Sequence, residues 1–248
     1  MSACGAPDPL AAFVPGESGR VVRVIDGDAL VLDTGQSVRL VSIEAPAPDR
    51  RNRPGQPFAD EAKRMVEDMV LGRQVRLYYA GLSRDRYDRA LAHVVTSDAS
   101  GPDLWLNLAL VERGGARVRV YPDTALGAEP LLAAEANALE RGAGLWALPD
   151  YAIPRAMALA ADRRGFVIVD GVIGDAAAGT SNAGADFGGE QRLCLRPFLD
   201  SAVVLDIARS AAGLCDMPTG VWVRARGYLR DGRLEITHGL NAMELPGP

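Results

Sequence analysis

Lysine is almost missing from this chain: of its 27 basic residues, only Lys63 is a lysine. Arginine supplies the rest, and its planar fork suits two-pronged grips on phosphate. A GC-rich codon bias would give the same excess, so each arginine has to be judged by its position. Cysteine is scarce as well. Cys4, Cys194 and Cys215 show no metal-site spacing, and their odd number excludes a simple disulfide framework. Cys194 and Cys215 keep two readings, a bridge in an oxidising compartment or separate buried thiols. Net positive charge is missing too. At a formal −5 the chain has no global pull toward a polyanion, so any such contact must come from a local cluster. No apolar run approaches the roughly 18 residues that a spanning helix needs. The opening residues lack the apolar stretch of a signal peptide. The run Ser2-Ala3-Cys4-Gly5 matches the end of a lipoprotein cleavage site; export with the signal removed, to a periplasm or to a lipid anchor at Cys4, is the expectation and a cytosolic protein the alternative.

What is present reads as short strands with a few helices. Residues 1–18, rich in Ala, Pro and Gly, suggest a flexible arm. From Gly19 the texture turns β: Val21, Val22, Val24 and Ile25 lead to the turn Asp26-Gly27, then Leu30-Val31-Leu32. A second turn at Asp33-Thr34-Gly35 leads to a third strand over 37–43, a meander of hairpins. Phe58, Ala62, Met65, Val66, Met69 and Val70 share one face of a helix over 57–71, with Gly72 placed as a C-cap. Strands follow at 74–79 and 90–96. After them come a helix at 103–113, a short strand at 117–121 and a helix at 127–141.

Residues 149–164 read as a linker. β texture returns at 165–173, 191–195, 202–207, 221–229 and 233–237, with a short helical turn near 208–212 and a long polar loop at 174–190. The fold class is therefore mainly β with helices: an OB-type five-stranded barrel plus three helices over 19–148, then a second small OB-like barrel over 165–248.

The chemistry-bearing residues cluster in three places. Asp26 and Asp28 flank Gly27 in a turn. Arg39 lies inside an apolar strand that exits through Glu44, Ala45 and Pro46. Asp85, Tyr87, Asp88 and Arg89 form a charged turn feeding the strand at 90–96. The odd separation of Arg39 and Glu44 puts them on opposite faces of a regular strand. They converge only if the chain bends near Glu44, which Pro46 permits. A simple pair with Glu44 is then the alternative for Arg39, and one with Asp85 or Asp88 for Arg89.

These segments, in order, resemble the staphylococcal nuclease family of calcium-dependent phosphodiesterases. The matching runs are Ile-Asp-Gly-Asp, Arg-Leu-x-x-Ile-Glu-Ala-Pro, the amphipathic helix, Asp-x-Tyr-x-Arg-x-Leu-Ala, Asn-x-x-Leu-Val-x-x-Gly ending at Gly114, and a last helix before Gly-Leu-Trp. Asn107 and Trp146 stand where the family has its own Asn and Trp.

The resemblance implies a site. Asp28, Glu44 and the Ala45 backbone carbonyl would hold calcium, weakly because Glu44 is longer than the family's residue. The ion would polarise the phosphate and acidify water. Arg39 and Arg89 would grip the phosphate, and Tyr87 would line the nucleotide pocket. The family's general-base glutamate falls on Ala47, its threonines on Ala29 and Ala45, and a second tyrosine on or beside Val120, next to Tyr121. Asp49, in the same loop as Ala47, is the candidate replacement base.

Arg50, Arg51 and Arg53 make a local positive patch, either a steering element for a polyanion or a solvated loop. In the second barrel Trp222, Arg224, Arg226 and Tyr228 alternate on one face. That suits single-stranded DNA or RNA or, equally, a plain supporting barrel that recruits a protein partner. Two functions follow: a nuclease of DNA and RNA slowed by the loss of its base, or an inactive nuclease-fold protein that binds nucleic acid or a protein.

Overall fold

The computed structural model describes residues 10–51, 53–98, 103–174, 192–200, 202–208, 211, 213–214 and 217–247. The readings of Cys4, Cys194 and Cys215, and the loop read beyond Gly174, fall outside the described side chains. Two compact units divide the chain: Met1–Val118 with Asp123–Tyr151, and Arg119–Pro122 with Ala152–Pro248. Among the described residues no helix is long and apolar enough to cross a membrane.

The first unit is a closed barrel of β1 (Val14–Asp26), β2 (Ala29–Leu32), β3 (Ser37–Leu40), β5 (Gln74–Tyr79) and β6 (Ala90–Thr96), in the order β1-β2-β3-β6-β5. Its single parallel pair is β3 with β6, Val38 opposite Ala90. A two-residue strand, β4 (Ile43–Glu44), pairs with β7 (Arg117–Val118) outside the barrel. α1 (Ala59–Val70) buries Ala62, Val66, Met69 and Val70, the face expected from spacing, and Gly72 ends it at φ +78°. α2 (Leu106–Glu112) and α3 (Ala128–Glu140) complete the unit.

The second unit repeats this plan. β8 (Gly165–Gly174) pairs with β9 (Arg192–Leu199) and β11 (Trp222–Arg230), and β10 (Val203–Ala208) pairs with β9. β12 (Arg233–Ile236) closes the ring, parallel to β10 and antiparallel to β11. The order, with one parallel pair between third and fifth strands, is that of the first barrel. β13 (Ala242–Glu244), on the edge of β11, is an addition the sequence did not suggest.

Three expectations need correction. β1 begins at Val14, so residues 14–18 are strand, paired with β5 from Val14 opposite Tyr79. The reason is packing. Phe13 is buried, its ring stacked on His93 at 4.7 Å and edge-on to Trp105 at 6.1 Å. The strand expected over 37–43 breaks after Leu40, because Ser42 turns left-handed at φ +61°. The strand expected over 117–121 stops at Val118, where the chain passes to the second unit.

Glu17, inside the supposed arm, is a fixed point. Tyr79 donates to its Oε2 at 2.7 Å, while Arg84 donates to its Oε1 and to the Tyr79 hydroxyl, both at 2.6 Å. This clasp fastens the β5–β6 loop to β1. Glu17→Ala should speed amide exchange over 82–91 while the barrel stays folded; unchanged exchange would mean the loop is held elsewhere.

His93 predicts a pH response. Its Nδ1 accepts from Trp105 Nε1 at 3.2 Å, and burial pushes its pKa down to about 3. The unfolded value lies near 6.5. The neutral ring therefore contributes stability that is complete above pH about 6.5 and lost as pH falls toward 3, at up to about 1.4 kcal/mol per unit. Urea unfolding at pH about 7.5 and about 5 should show His93→Gln losing about 2 kcal/mol less than wild type. Equal losses would mean that the ring titrates normally.

Candidate active site

The site grows out of strand register. Arg39 lies opposite Ala29 on β2 and Leu91 on β6. Asp28 directly precedes Ala29 and is level with Leu40 at the end of β3, while Arg89 directly precedes Ala90, which pairs with Val38 near its start, so the two flank Arg39 along β3. The Leu40 amide adds a bond to the Asp28 carbonyl at 2.8 Å.

Asp28 is 3 % exposed. Its Oδ1 meets the Arg39 guanidinium at 2.9 Å and its Oδ2 accepts the Ala45 amide at 2.9 Å. A buried carboxylate needs such partners to offset lost hydration. Burial pushes its pKa up to about 7, with Arg39 and the Ala45 amide opposing and Asp26 reinforcing the rise. Asp26 was not expected to matter beyond its turn. It is itself buried, accepts the Asp28 amide at 3.2 Å on Oδ1, and faces Arg50 at 3.9 Å on Oδ2. Its alternation with Asp28 around Gly27 was the signal available in the sequence.

Arg39 thus pairs with Asp28, and the expected bend near Glu44 occurs earlier, at Ser42. The Ser42 hydroxyl, donating to the Thr124 carbonyl at 2.7 Å, stabilises that turn. Asn107 holds the same corner: its Oδ1 accepts from the Val94 amide and its Nδ2 donates to the Val41 carbonyl, each at 3.0 Å. The turn brings half-buried Glu44 and buried Ala45 beside Asp28. Gly27 allows the approach, because a Cβ there would meet the methyl groups of Ala45 and Ala62.

On the β5–β6 loop, Asp85 takes both Arg89 Nε at 2.8 Å and a second Arg89 nitrogen at 2.7 Å, plus the amides of Tyr87 and Arg89. Burial raises its pKa, but these hydrogen bonds outweigh it and hold the carboxyl below its usual range. Arg89 is fixed in orientation yet a third exposed. Tyr87 stands out into solvent, with the guanidinium groups of Arg86 and Arg89 at 4.7 and 5.8 Å from its ring centre.

Ala47 is tied to Gln56 in both directions: its amide donates to Gln56 Oε1 at 2.8 Å and its carbonyl accepts from the Gln56 amide at 2.9 Å. Between them Asp49, Arg50, Arg51 and Arg53 are all exposed. Val120 and Tyr121 belong to the second unit, where the Arg119 guanidinium covers the Tyr121 ring at 4.9 Å. In that unit the alternation along β11 is real, but its cations are engaged. Arg155 lies over Trp222 at 4.1 Å and is held by Asp200; Arg224 is paired with Asp170 at 2.7 and 2.8 Å; Arg226 is 1 % exposed.

The family model described as "Staphylococcal nuclease homologue" matches residues 37–148. The thermonuclease of Staphylococcus intermedius is 37% identical over 112 residues, 44% of this chain and 64% of the relative. That of Staphylococcus hyicus is 33% identical over 105 residues, 41% and 59% respectively. The chain thus spans just under two thirds of both thermonucleases. An "Uncharacterized endonuclease" of Escherichia coli O157:H7 is 33% identical over 138 residues, 55% of this chain and 81% of that protein. Barrel, ordered site segments and relatives agree: the chain belongs to the staphylococcal nuclease family.

Proposed function

We propose that this chain is a calcium-dependent phosphodiesterase that hydrolyses DNA and RNA. The observation that supports it best is the buried Asp28, held between Arg39 and the Ala45 amide. A scaffold without chemistry has no need of a carboxylate so costly to desolvate.

The donor set fits a hard cation. Asp28, Glu44 and the Ala45 carbonyl would supply oxygens, the ligands that calcium takes in a flexible shell. Among the described residues no three His, Cys, Asp or Glu side chains are grouped to hold a metal ion. Water would complete a shell of about 6–8 oxygens, which makes binding weak. When bound, the ion supplies Lewis-acid polarisation of the phosphate.

The protein's own residues do the rest. Arg39 and Arg89 offer forked donors to the non-bridging phosphate oxygens, where charge grows as a water oxygen adds to phosphorus and the opposite P–O ester bond breaks. Asp85 fixes the Arg89 fork, which lowers the cost of ordering it at the moment of reaction. Asp49 takes the proton of the attacking water, and Tyr87 carries the adjoining base. Arg50, Arg51 and Arg53 hold the strand beyond.

Ala47 favours a second reading, a binding protein without turnover. A positioned base is worth roughly 10²–10⁴-fold, and this side chain has none to give. One set of assays separates the readings. Single-stranded DNA should be cut slowly with calcium and not at all with a chelator. Ala47→Glu should raise the rate by roughly 10²-fold, and adding Arg89→Ala should abolish the gain. Proteins that bind calcium and oligonucleotide yet stay inert, with or without Glu at 47, would establish the binding reading. Calcium at millimolar level should also raise the melting temperature of wild type and leave that of Asp28→Ala unmoved. An equal shift in both would place the ion elsewhere.

A further inference from the structure

The loop between Ala47 and Gln56 is a built structure. At its base the two reciprocal Ala47–Gln56 bonds close it, and Gly55 lies against the Asp49 backbone, where a Cβ would be 2.9 Å from the Asp49 nitrogen. At its tip a second reciprocal pair, Arg50 amide to Arg53 carbonyl at 2.9 Å and the reverse at 2.8 Å, makes a tight hairpin. Three arginines therefore lie within this short closed segment. Arg50 reaches 3.9 Å from the Asp26 carboxylate with its side chain 70 % exposed. That puts Arg50 beside Asp26. Arg51 and Arg53 are exposed and have no carboxylate within ion-pair reach among the described residues. Two unneutralised cations held close together on a chain with an acidic net charge are electrostatically unfavourable by themselves. They become favourable opposite an anion of repeating charge.

We infer that the hairpin at 50–53 is an arm for the backbone phosphates of a single-stranded polynucleotide, gripping the strand outside the scissile phosphate. The inference rests on the nuclease reading for its direction, since the arm stands beside Asp26 and Asp28. Tyr87 selects the single strand. Its ring is 66 % exposed and flanked by two guanidinium groups, so it can stack on a base only after that base leaves its duplex. Arginine serves better than lysine here, because each fork spans two phosphate oxygens and never loses its charge. The substrate class is thus a strand of several nucleotides; a mononucleotide cannot use the arm.

Salt dependence of binding tests this directly. Binding of a labelled single strand of about 20 nucleotides is followed by anisotropy in chelator, so that cleavage does not intervene, across about 50 to 300 mM sodium chloride. Each phosphate neutralised on a single strand adds about 0.7 to the slope of log affinity against log salt. Arg51→Gln with Arg53→Gln should therefore flatten the slope by about 1.4 and cost roughly tenfold in affinity at the low-salt end. The advantage of the long strand over a dinucleotide should shrink with it. Both residues are exposed, so an unchanged melting temperature verifies that the double variant is folded.

A slope and affinity equal to those of wild type would overturn the arm, whether or not the protein cuts DNA. A flattened slope in a protein that never cuts DNA with calcium would support the arm and overturn the nuclease reading alone. If polyglutamate displaces the strand at equal charge concentration, the arm recognises an acidic polypeptide and the polynucleotide assignment fails.

Discussion

One buried carboxylate sets the geometry of one end of the first barrel. Asp28 must find substitutes for water, and it finds them on two different elements: a guanidinium from β3 and a backbone amide just past β4. Satisfying it draws together the β1–β2 turn, the centre of the barrel and the exit of β4. The closeness of Gly27, Ala45 and Ala62 follows from the same demand, since any larger group among them would hold Asp28 away from its partners. Desolvation and packing point the same way here, so an arrangement that is costly one group at a time is stable as a set.

The two units show how little of the function comes from topology. Both rings run first-second-third-fifth-fourth with one parallel pair. In the first, the residues beside that pair include an arginine with a third of its side chain open to solvent and a carboxylate turned toward it. In the second, Arg224 of β11 is paired with Asp170 and Arg226 is buried, while Tyr228 and Arg230 stay exposed. The same ring thus carries two different arrangements of charge.

Much of this was legible in the chain. Strands bounded by Asp-Gly and Gly-rich turns, and the one-sided apolar face of α1, announce themselves because local backbone preference and burial agree there. The ordered site segments gave the family. What remained hidden depends on long-range contacts. Nothing near Ser42 marks a left-handed turn, because its hydroxyl partner, Thr124, lies far along the chain. Residues 14–18 look like an arm until Phe13 is seen against His93. The choice of Asp28 over Glu44 as partner for Arg39 follows from cross-strand register, which spacing along one strand cannot show. Asp85 was visible as a partner for Arg89, being four residues away, and there the local reading sufficed.

The closure of the loop at Ala47 and Gln56 has a consequence for how such a protein can change over time. Its two ends are joined to each other by their own backbone groups and one amide side chain, without calling on the residues between. The intervening segment is in effect a replaceable cassette, whose length and charge can drift while Glu44, Ala45 and Asp28 keep their places. Selection for a new polymer, or for a different reach along the same one, would then act on a handful of codons insulated from the barrel. The stability of the fold and the choice of substrate could evolve on separate schedules.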